Sequence, residues 1–366
     1  MKTERSSTAI LLVFFAVQCL RASAFSLSST SHSPQLLTRS GSRKTTSNEL
    51  FWTLQASTEN EDHINQTGDY VLQTCSKAGS RRQFVATATG TISLAAFAGN
   101  TIAVESSPIC VIGANGRTGS QCVQACVERG IPVRATSRSG TYNGDSSSKL
   151  VALLPCDVTK PATISRAIER CQAVIFCASA SKNRGTPSQV DNDGLVNVAR
   201  ACLAQKIPHL VVVSSGAVTK PNSPVFQFLN LFGKIMEEKI KGEDEVRRLY
   251  SMSGNQPSLV FTVIRPGGLT EDAPRGVTAL ELNQGDTKSG RIARADVAAL
   301  CIEATRYPGL TGFATFECYD SDTGKPLSTV GISNILKQKA APADFTSGTE
   351  HVGETFEKLF TGLQRD

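Results

Sequence analysis

The chain has 366 residues and a net charge of +6, from 38 basic and 32 acidic side chains. At roughly 100–200 residues per domain this length allows two domains, but the Ser/Thr-rich segment 25–48 contains no acidic residue and too few apolar residues for a core. One Trp and the lack of a basic run argue against a nucleic-acid partner. We therefore expect a targeting leader and one α/β domain that begins near Pro108.

The chain contains 11 cysteines and 4 histidines, but no CxxC motif. Most of the cysteines fall within apolar runs of the expected domain, for example Cys110, Cys156, Cys177 and Cys301. This pattern is typical of small core residues in a reducing compartment. A Cys/His metal site is not expected.

The first 106 residues contain several targeting patterns. Residues 1–24, with Lys2, Arg5 and an apolar run, have the pattern of a secretory signal peptide. Phe25 then opens a transit-peptide-like segment, 25–79, and this order resembles the bipartite presequence of algae with secondary plastids, such as diatoms. In segment 80–106, Arg81 and Arg82 precede an uncharged stretch that resembles a twin-arginine signal to the thylakoid lumen. A linker helix that packs on, or anchors, the domain is the alternative for 80–106.

A strand, a glycine-rich turn and a helix are predicted at 109–129. The β-branched run 109–112 predicts a buried parallel strand, and apolar residues at helical spacing follow at 118–129. In the turn GANGRTG, 113–119, the glycines permit a tight bend and close approach of a pyrophosphate to the helix N-terminus. The predicted cofactor-binding residues are Gly113, Asn115, Gly116, Arg117, Thr118 and Gly119.

The next predicted strand, 133–137, ends at Arg138. An acidic residue at this point would bind the ribose 2′-OH of NAD, whereas an arginine suits the 2′-phosphate of NADP. Arg117 can add a second positive charge. We therefore predict NADP rather than NAD; the alternative interpretation is that Arg138 is only a solvated strand end.

The alternation of strands and helices continues along the domain. Strands are predicted at 151–155, 173–177, 210–213, 259–264 and 313–318, and helices at 161–170, 190–206 and up to about 306. This order predicts an α/β fold, a single doubly wound Rossmann domain with a parallel sheet, whose ligands lie beyond the strand carboxyl ends. The residues at those ends are Asp157, Val158, Ala178, Ser179, Ala180, Ser214, Ser215, Pro266 and Gly267.

From Pro108 to about residue 309 the chain resembles the atypical, NmrA-like short-chain dehydrogenase/reductases. It is most similar to the plastid group related to the NADP-binding module of an inner-envelope protein translocon. The matching pieces are GANGRTG, Asp157-Val158, Val190-Asp191, Ser214-Ser215-Gly216, Lys239 with Glu243, TVIRPGGL at 262–269, and IARADVA at 292–298. The resemblance implies that 157–158 flank the adenine, 178–180 the ribose and nicotinamide side, and 266–267 the nicotinamide amide.

The catalytic pattern of short-chain reductases is incomplete. These enzymes usually move a proton through a Tyr four residues before a Lys, with a Ser near the substrate oxygen. The matching lysine is Lys239, so the tyrosine position holds Ile235, which has no proton to give. A register on Lys241 would place Glu237 there. Lys239, Ser214 and Ser215 remain the catalytic candidates, and Lys239 is also a candidate for cofactor binding.

Three functional hypotheses follow. The first is an NADP-dependent reductase of a small hydrophobic plastid metabolite, with water as the proton source. The second is a non-catalytic NADP-binding redox sensor or scaffold whose partner is a plastid membrane protein. The third is a reductase-like fold that is retained only for structure or assembly.

The domain is expected to span 107–337, with a small substrate lid between 267 and 290. A tail at 338–366 follows, in which 342–353 is polar and expected to be loose. Phe356, Leu359 and Phe360 predict a short amphipathic helix that docks on the domain or on a partner.

Overall fold

The computed structural model describes residues 107–181, 185–231, 233–254, 256–330 and 345–366. The predicted signal, transit and twin-arginine segments at 1–106 lie outside the described residues. Within the described ranges, none of the helices has the length and apolar character needed to cross a membrane.

The first part of the domain consists of six strands and five helices. The strands are β1 (Ile109–Ile112), β2 (Val133–Ser137), β3 (Val151–Pro155), β4 (Ala173–Phe176), β5 (His209–Val213) and β6 (Val260–Pro266). The helices are α1 (Arg117–Glu128), α2 (Pro161–Ile168), α3 (Asp193–Ala204), α4 (Pro224–Asn230) and α5 (Ile235–Met252). One π-helical turn, Ser188–Asn192, precedes α3, and such turns are frequent at functional sites.

Shorter elements complete the fold. The strands are β7 (Gly268–Thr270), β8 (Leu280–Gln284), β9 (Lys288–Ser289), β10 (Arg291–Ala293), β11 (Ala314–Asp320), β12 (Lys325–Pro326) and β13 (Thr349–His351). The helices are α6 (Arg294–Arg306), α7 (Pro308–Thr311) and α8 (Phe356–Phe360).

In the described residues the main sheet has the strand order β13-β8-β11-β6-β5-β4-β1-β2-β3. The seven neighbouring strands β11, β6, β5, β4, β1, β2 and β3 run parallel, whereas β8 and β13 are antiparallel at one edge. The strand order reverses between β1 and β4, where ligands of such sheets bind beyond the carboxyl ends. The predicted doubly wound Rossmann fold is therefore confirmed.

Separate apolar clusters cover the two faces of the sheet. On one face Cys122 of α1 packs with Val297 of α6, and on the other Val198 of α3 lies in the second cluster. Val111 belongs to the first cluster and Ile112 to the second, so β1 is buried on both faces. This burial explains the continuous apolar run of β1.

The cysteines of the described residues are all free thiols, and every one except Cys177 is buried. The prediction that they serve as small core residues is confirmed for this part of the chain. In the same residues no group of His, Cys, Asp or Glu side chains could hold a metal ion.

The structure corrects the prediction for the C-terminal segment. Residues 342–353 were expected to be loose, but Thr349–His351 form β13 and pair with β8, His351 opposite Leu282. α8 docks on the domain: Phe360 is fully buried, and its ring lies 6.0 Å from that of Phe316. A second difference is the helix predicted at 161–170, which ends at Ile168 because Glu169 has a non-helical ψ of 126°. Arg170 then has a left-handed φ of 55°.

Candidate functional site

In the glycine-rich turn between β1 and α1, the glycine positions leave no room for a side chain. Gly113 has φ +87°, and a Cβ there would lie 2.9 Å from the backbone of Ala178. A Cβ on Gly119 would lie only 2.2 Å from the carbonyl oxygen of Gly113. Gly116 is the N-cap of α1, which has neither an acidic residue in its first turn nor a cap from a described side chain. The first N–H groups of this helix are therefore available to an anion.

The turn opens on a cavity of about 550 Å³ at the carboxyl ends of β1, β2 and β4. Most of the predicted cofactor-binding residues line this cavity: Gly113, Asn115, Gly116, Arg117, Arg138, Asp157, Val158, Ala178 and Ser179. The volume is in the range of small-molecule and cofactor sites.

One end of the cavity carries both an acidic and a basic group. Burial raises the pKa of Asp157, but hydrogen bonds from Thr159 and the charges of Lys160 and Arg138 hold that pKa below its usual value. Thr159 Oγ1 donates to Asp157 Oδ1 over 2.7 Å. The carboxylate is therefore a fixed acceptor that lies within electrostatic reach of Arg138.

Asn115 fixes the loop that follows β2. Its Nδ2 donates to the carbonyl oxygen of Thr141 over 2.9 Å, and its Oδ1 accepts from the backbone N–H of Asn143 over 2.8 Å. The side chain of Asn115 thus ties this loop to the glycine-rich turn.

The other predicted site residues do not line the cavity: Thr118, Gly119, Ala180, Ser214, Ser215, Lys239, Pro266 and Gly267. Thr118 and Gly119 lie within the first turn of α1. Gly267 packs against the backbone of Gly290, whose oxygen would lie 2.4 Å from a Cβ.

Lys239 is linked to the cavity wall by Asp191, in the π-helical turn. Lys239 Nζ lies 2.8 Å from Asp191 Oδ1, and the Asp191 side chain has no solvent exposure. Ser179 Oγ donates to Asp191 Oδ1 over 2.7 Å, and the backbone N–H of Ala180 donates to Oδ2 over 2.9 Å. Asp191 therefore joins α5 to the loop after β4. The sequence showed Asp191 only as part of a family match, because its neighbours at 188–193 are mostly polar and gave no sign of its burial.

Ser214 is also bound to a buried carboxylate. Its Oγ donates to Glu243 Oε1, and Glu243 is fully buried. Burial alone would raise the pKa of Glu243, but Arg265 and Arg247 hold it below its usual value. The Ser214 hydroxyl therefore donates a hydrogen bond to an ionised carboxylate.

The missing phenol is replaced by an apolar wall. Ile235 is the first residue of α5 and packs on the cluster that contains Ala217 and Met236. Lys241 is bound to Glu238 over 2.7 Å and is largely exposed. In the alternative register the lysine would therefore not be linked to the cavity wall, as Lys239 is.

Arg117 is one of two arginines that share a carboxylate. Glu271 Oε1 lies 3.5 Å from Arg117 Nη1 and 2.7 Å from Arg294 Nη1. Burial and the charge of Arg117 lower the pKa of Arg294. Arg117 is mostly exposed, which leaves it able to contact an anion at the start of α1.

A dinucleotide fits these features, because the crowded turn and the uncapped helix start suit a pyrophosphate. The model of a family described as NAD(P)H-binding matches residues 113–308, which is more than half of the chain. This chain belongs to the NAD(P)H-binding family. The match begins at Gly113, the first glycine of the turn.

Two curated relatives of this chain are chloroplastic proteins. An uncharacterised chloroplastic protein of Arabidopsis thaliana is 32% identical over 216 residues, which cover 55% of this chain and 73% of the relative. The chloroplastic protein TIC 62 of Pisum sativum is 25% identical over 225 residues, which cover 55% of this chain and 40% of TIC 62. The predicted resemblance to plastid atypical short-chain dehydrogenase/reductases is confirmed, and the chain spans less than half the length of TIC 62.

Among solved structures, this chain is similar to an oxidoreductase from Lactococcus lactis. It is 18% identical, covers 63% of this chain and 97% of its own, and has a TM-score of 0.48.

Proposed function

We propose that this chain binds NADP(H) beside the glycine-rich turn and acts in a plastid as an atypical reductase of a small hydrophobic acceptor. The observation that carries this proposal is the cavity whose floor is the crowded glycine turn and whose walls include Arg117 and Arg138. Membership of the NAD(P)H-binding family supports a nicotinamide cofactor.

The preference for NADP over NAD is based on Arg138. This residue follows β2, where a doubly wound fold contacts the ribose of the adenosine half. A guanidinium binds a phosphate through charge-assisted hydrogen bonds. Asp157 at the same end of the cavity suits the adenosine and partly offsets the charge of Arg138.

A titration with NADPH and NADH tests this assignment. We expect Arg138→Ala to weaken NADPH binding by about 10- to 100-fold, because a charge-assisted contact is worth about 1.5–3 kcal/mol. NADH binding should be nearly unchanged. Arg166→Ala, an exposed arginine of α2 outside the cavity, is the matched control. Equal losses for both cofactors, or binding of neither by the parent protein, would refute the proposal.

The roles of the remaining residues follow from their positions. A bound nicotinamide supplies or accepts a hydride. The turn residues Gly113, Asn115, Gly116, Arg117, Thr118 and Gly119 would hold the pyrophosphate, Asp157 and Val158 the adenine, Ala178, Ser179 and Ala180 the ribose and nicotinamide side, and Pro266 and Gly267 the amide. Lys239, Ser214 and Ser215 are the candidates that assist the acceptor oxygen, and water supplies the proton because Ile235 cannot.

A non-catalytic sensor or scaffold is the second candidate. It is favoured by Ile235 and by the contacts of Lys239 and Ser214, each of which is already engaged by a buried carboxylate. NADPH that binds but is never oxidised by a panel of quinones, enones and aldehydes would favour this candidate over the reductase. Recovery of thylakoid or envelope partners that does not change with NADPH would remove the sensing role and leave the scaffold.

The proposed location is a plastid, supported by the chloroplastic relatives and by the composition of segment 25–79. We further propose a secondary plastid, with the protein in the stroma or at the thylakoid, and with the lumen as an alternative because of Arg81 and Arg82. A fluorescent protein fused to residues 1–106 in a diatom tests this, with Phe25→Ala expected to block plastid import. Secretion of the unaltered fusion would refute a plastid location.

A further inference from the structure

A ring of buried polar groups lies behind Ser214, at the carboxyl end of β5. We call it the buried charge ring, and it consists of Ser214, Glu243, Arg265, Glu317 and Asp286, closed by the backbone of 217–219. Glu243, Glu317 and Asp286 are each at most 1% exposed. None of the assigned roles above uses Glu317 or Asp286.

Hydrogen bonds connect the members of the ring without a gap, and the one from Ser214 to Glu243 is unusually short. Ser214 Oγ donates to Glu243, and Arg265 Nη2 donates to Glu243 Oε2 over 2.6 Å. Arg265 Nη1 donates to Glu317 Oε1 over 3.2 Å, and the backbone N–H of Asp286 donates to Glu317 Oε2 over 2.9 Å. Each link joins a different element, from α5 to β6, β11 and the turn after β8.

Asp286 closes the ring on the segment that follows Ser214. Its Oδ1 accepts from the backbone N–H of Ala217 over 2.6 Å, and its Oδ2 accepts from the N–H and hydroxyl of Thr219 over 2.9 and 2.8 Å. Ala217 has φ +66° and Asp286 has φ +54°. A residue with a side chain keeps such a backbone only where its surroundings hold it there. The carboxylate of Asp286 is the group that holds Ala217.

The charge of the ring changes close to neutral pH. Burial and the nearby charge of Asp286 raise the pKa of Glu317 to about 7, although Arg265 opposes this rise. The charged groups around Glu317 are Arg265 on β6, Glu243 and Arg247 on α5, and Asp286 after β8. Protonation of Glu317 would weaken its hydrogen bond with Arg265. The charge of Arg265 would then act more strongly on Glu243, which accepts the hydrogen bond from Ser214.

We propose that Asp286 and Glu317 are positioning residues, which set the conformation of the Ser214–Gly216 segment through the buried charge ring. This inference rests on the proposed function, in which that segment borders the nicotinamide end of the site. Gly216 donates its N–H to the carbonyl oxygen of Pro266 over 2.8 Å, so a shift of the segment reaches the end of β6 as well. The conformation of the nicotinamide end is therefore set by Asp286 and Glu317, which do not contact the ligand.

The first test uses amide hydrogen exchange in the cofactor-free protein. Asp286→Asn should speed exchange at Ala217 and Thr219 by at least about tenfold, because the charged acceptor is lost. Thr219→Val, which removes only the hydroxyl donor, serves if Asp286→Asn does not fold. Glu303→Gln is the matched control, since Glu303 is a buried carboxylate of α6 paired with Arg129 and Arg306 outside the ring.

The second test uses the fluorescence of bound NADPH between about pH 6 and about pH 8, a window centred on the titration of Glu317. The parent protein should show a step near the midpoint of this window, and Glu317→Gln should remove the step while NADPH affinity changes by less than about threefold. A purely structural role would not remove a pH step from a folded variant. Glu303→Gln should keep the step.

The outcomes separate the two proposals. Unchanged exchange in the Asp286 and Thr219 variants would overturn the ring as the holder of this segment. A pH step that persists in Glu317→Gln would overturn the positioning role of Glu317. If the parent protein binds no NADPH, the proposed function fails. Amide exchange of residues 214–219 is then measured across the same pH range in place of NADPH fluorescence. A pH step in exchange that is absent from Glu317→Gln supports the role of the ring, and a step that persists in this variant overturns it.

Discussion

Asp191→Asn tests how the candidate site is held together. The substitution keeps the size of the side chain but removes the charge that faces Lys239 Nζ at 2.8 Å. It also leaves one fewer acceptor for Ser179 and Ala180, both of which donate to Asp191. The expected result is a less stable domain and a displaced loop after β4.

The magnitude follows from burial. Breaking a buried ion pair by removing one partner costs about 3–5 kcal/mol. The Lys239 side chain is 13% exposed and retains some access to water, so we expect a loss near the lower limit, about 3 kcal/mol. For a domain of this size that loss lowers Tm by roughly 6–12 °C.

The assay is thermal unfolding together with NADPH titration, and the double variant Asp191→Asn with Lys239→Met supplies the decisive comparison. Removing the unpaired ammonium should restore a large part of the lost stability, with a coupling of about 1–3 kcal/mol. Glu354→Gln, which breaks an exposed pair with Lys358 at 2.9 Å, is the control and should change Tm little. The reasoning is refuted if Asp191→Asn is as stable as this control, or if the double variant is no more stable than the single one.

Three further substitutions test other parts of the structure. Gly119→Ala places a Cβ 2.2 Å from the oxygen of Gly113, so we expect a stability loss of about 1–3 kcal/mol and a NADPH affinity at least about tenfold weaker; unchanged affinity on titration would contradict the role of the turn. Glu317 has a pKa raised to about 7, so its protonated form is favoured in the folded state, and the stability this gives is present at low pH and lost as pH rises through about 7. Glu317→Gln should therefore gain stability relative to the parent protein between about pH 4.3 and about pH 7, by up to about 1.4 kcal/mol per pH unit, with no further gain above that interval. Denaturant unfolding in which the two proteins show the same pH dependence of stability would exclude this. Phe360→Ala should cost about 3–5 kcal/mol, and a loss below about 1 kcal/mol in denaturant unfolding would mean that α8 does not complete the core.

The regular part of the fold was predictable because its strands are short runs of apolar or β-branched residues, of which β1 is buried on both faces. β2 and β3 have the predicted bounds, and β1 follows from a four-residue apolar run. β8 and β13 gave no such signal, because Glu281 and Asn283 of β8 are polar but buried. Their burial depends on pairing with distant strands, which a local pattern cannot express.

The candidate site divides in the same way. The position of the glycine turn and of Arg138 at the cavity was predictable because each follows directly from a strand that the local sequence indicates. The roles of Asp191 and Glu243 were not, since their partners lie far along the chain, as with Arg265, which is 22 residues from Glu243, and Ser214, which is 29 residues from it. The structure thus adds the supporting carboxylates to the site, whereas the glycine-rich turn was already visible in the sequence.

The docking of β13 and α8 affects the order in which the domain can be completed during synthesis. β13 pairs with β8, and Phe360 covers Phe316, so the outer edge of β8 and the ring of Phe316 remain uncovered on the nascent chain until 349–360 have emerged. A bare strand edge and an exposed aromatic ring favour association between unfinished chains. The interval before these residues emerge is therefore the stage at which a chaperone would be most useful to this protein, even though the nucleotide-binding strands are by then already made.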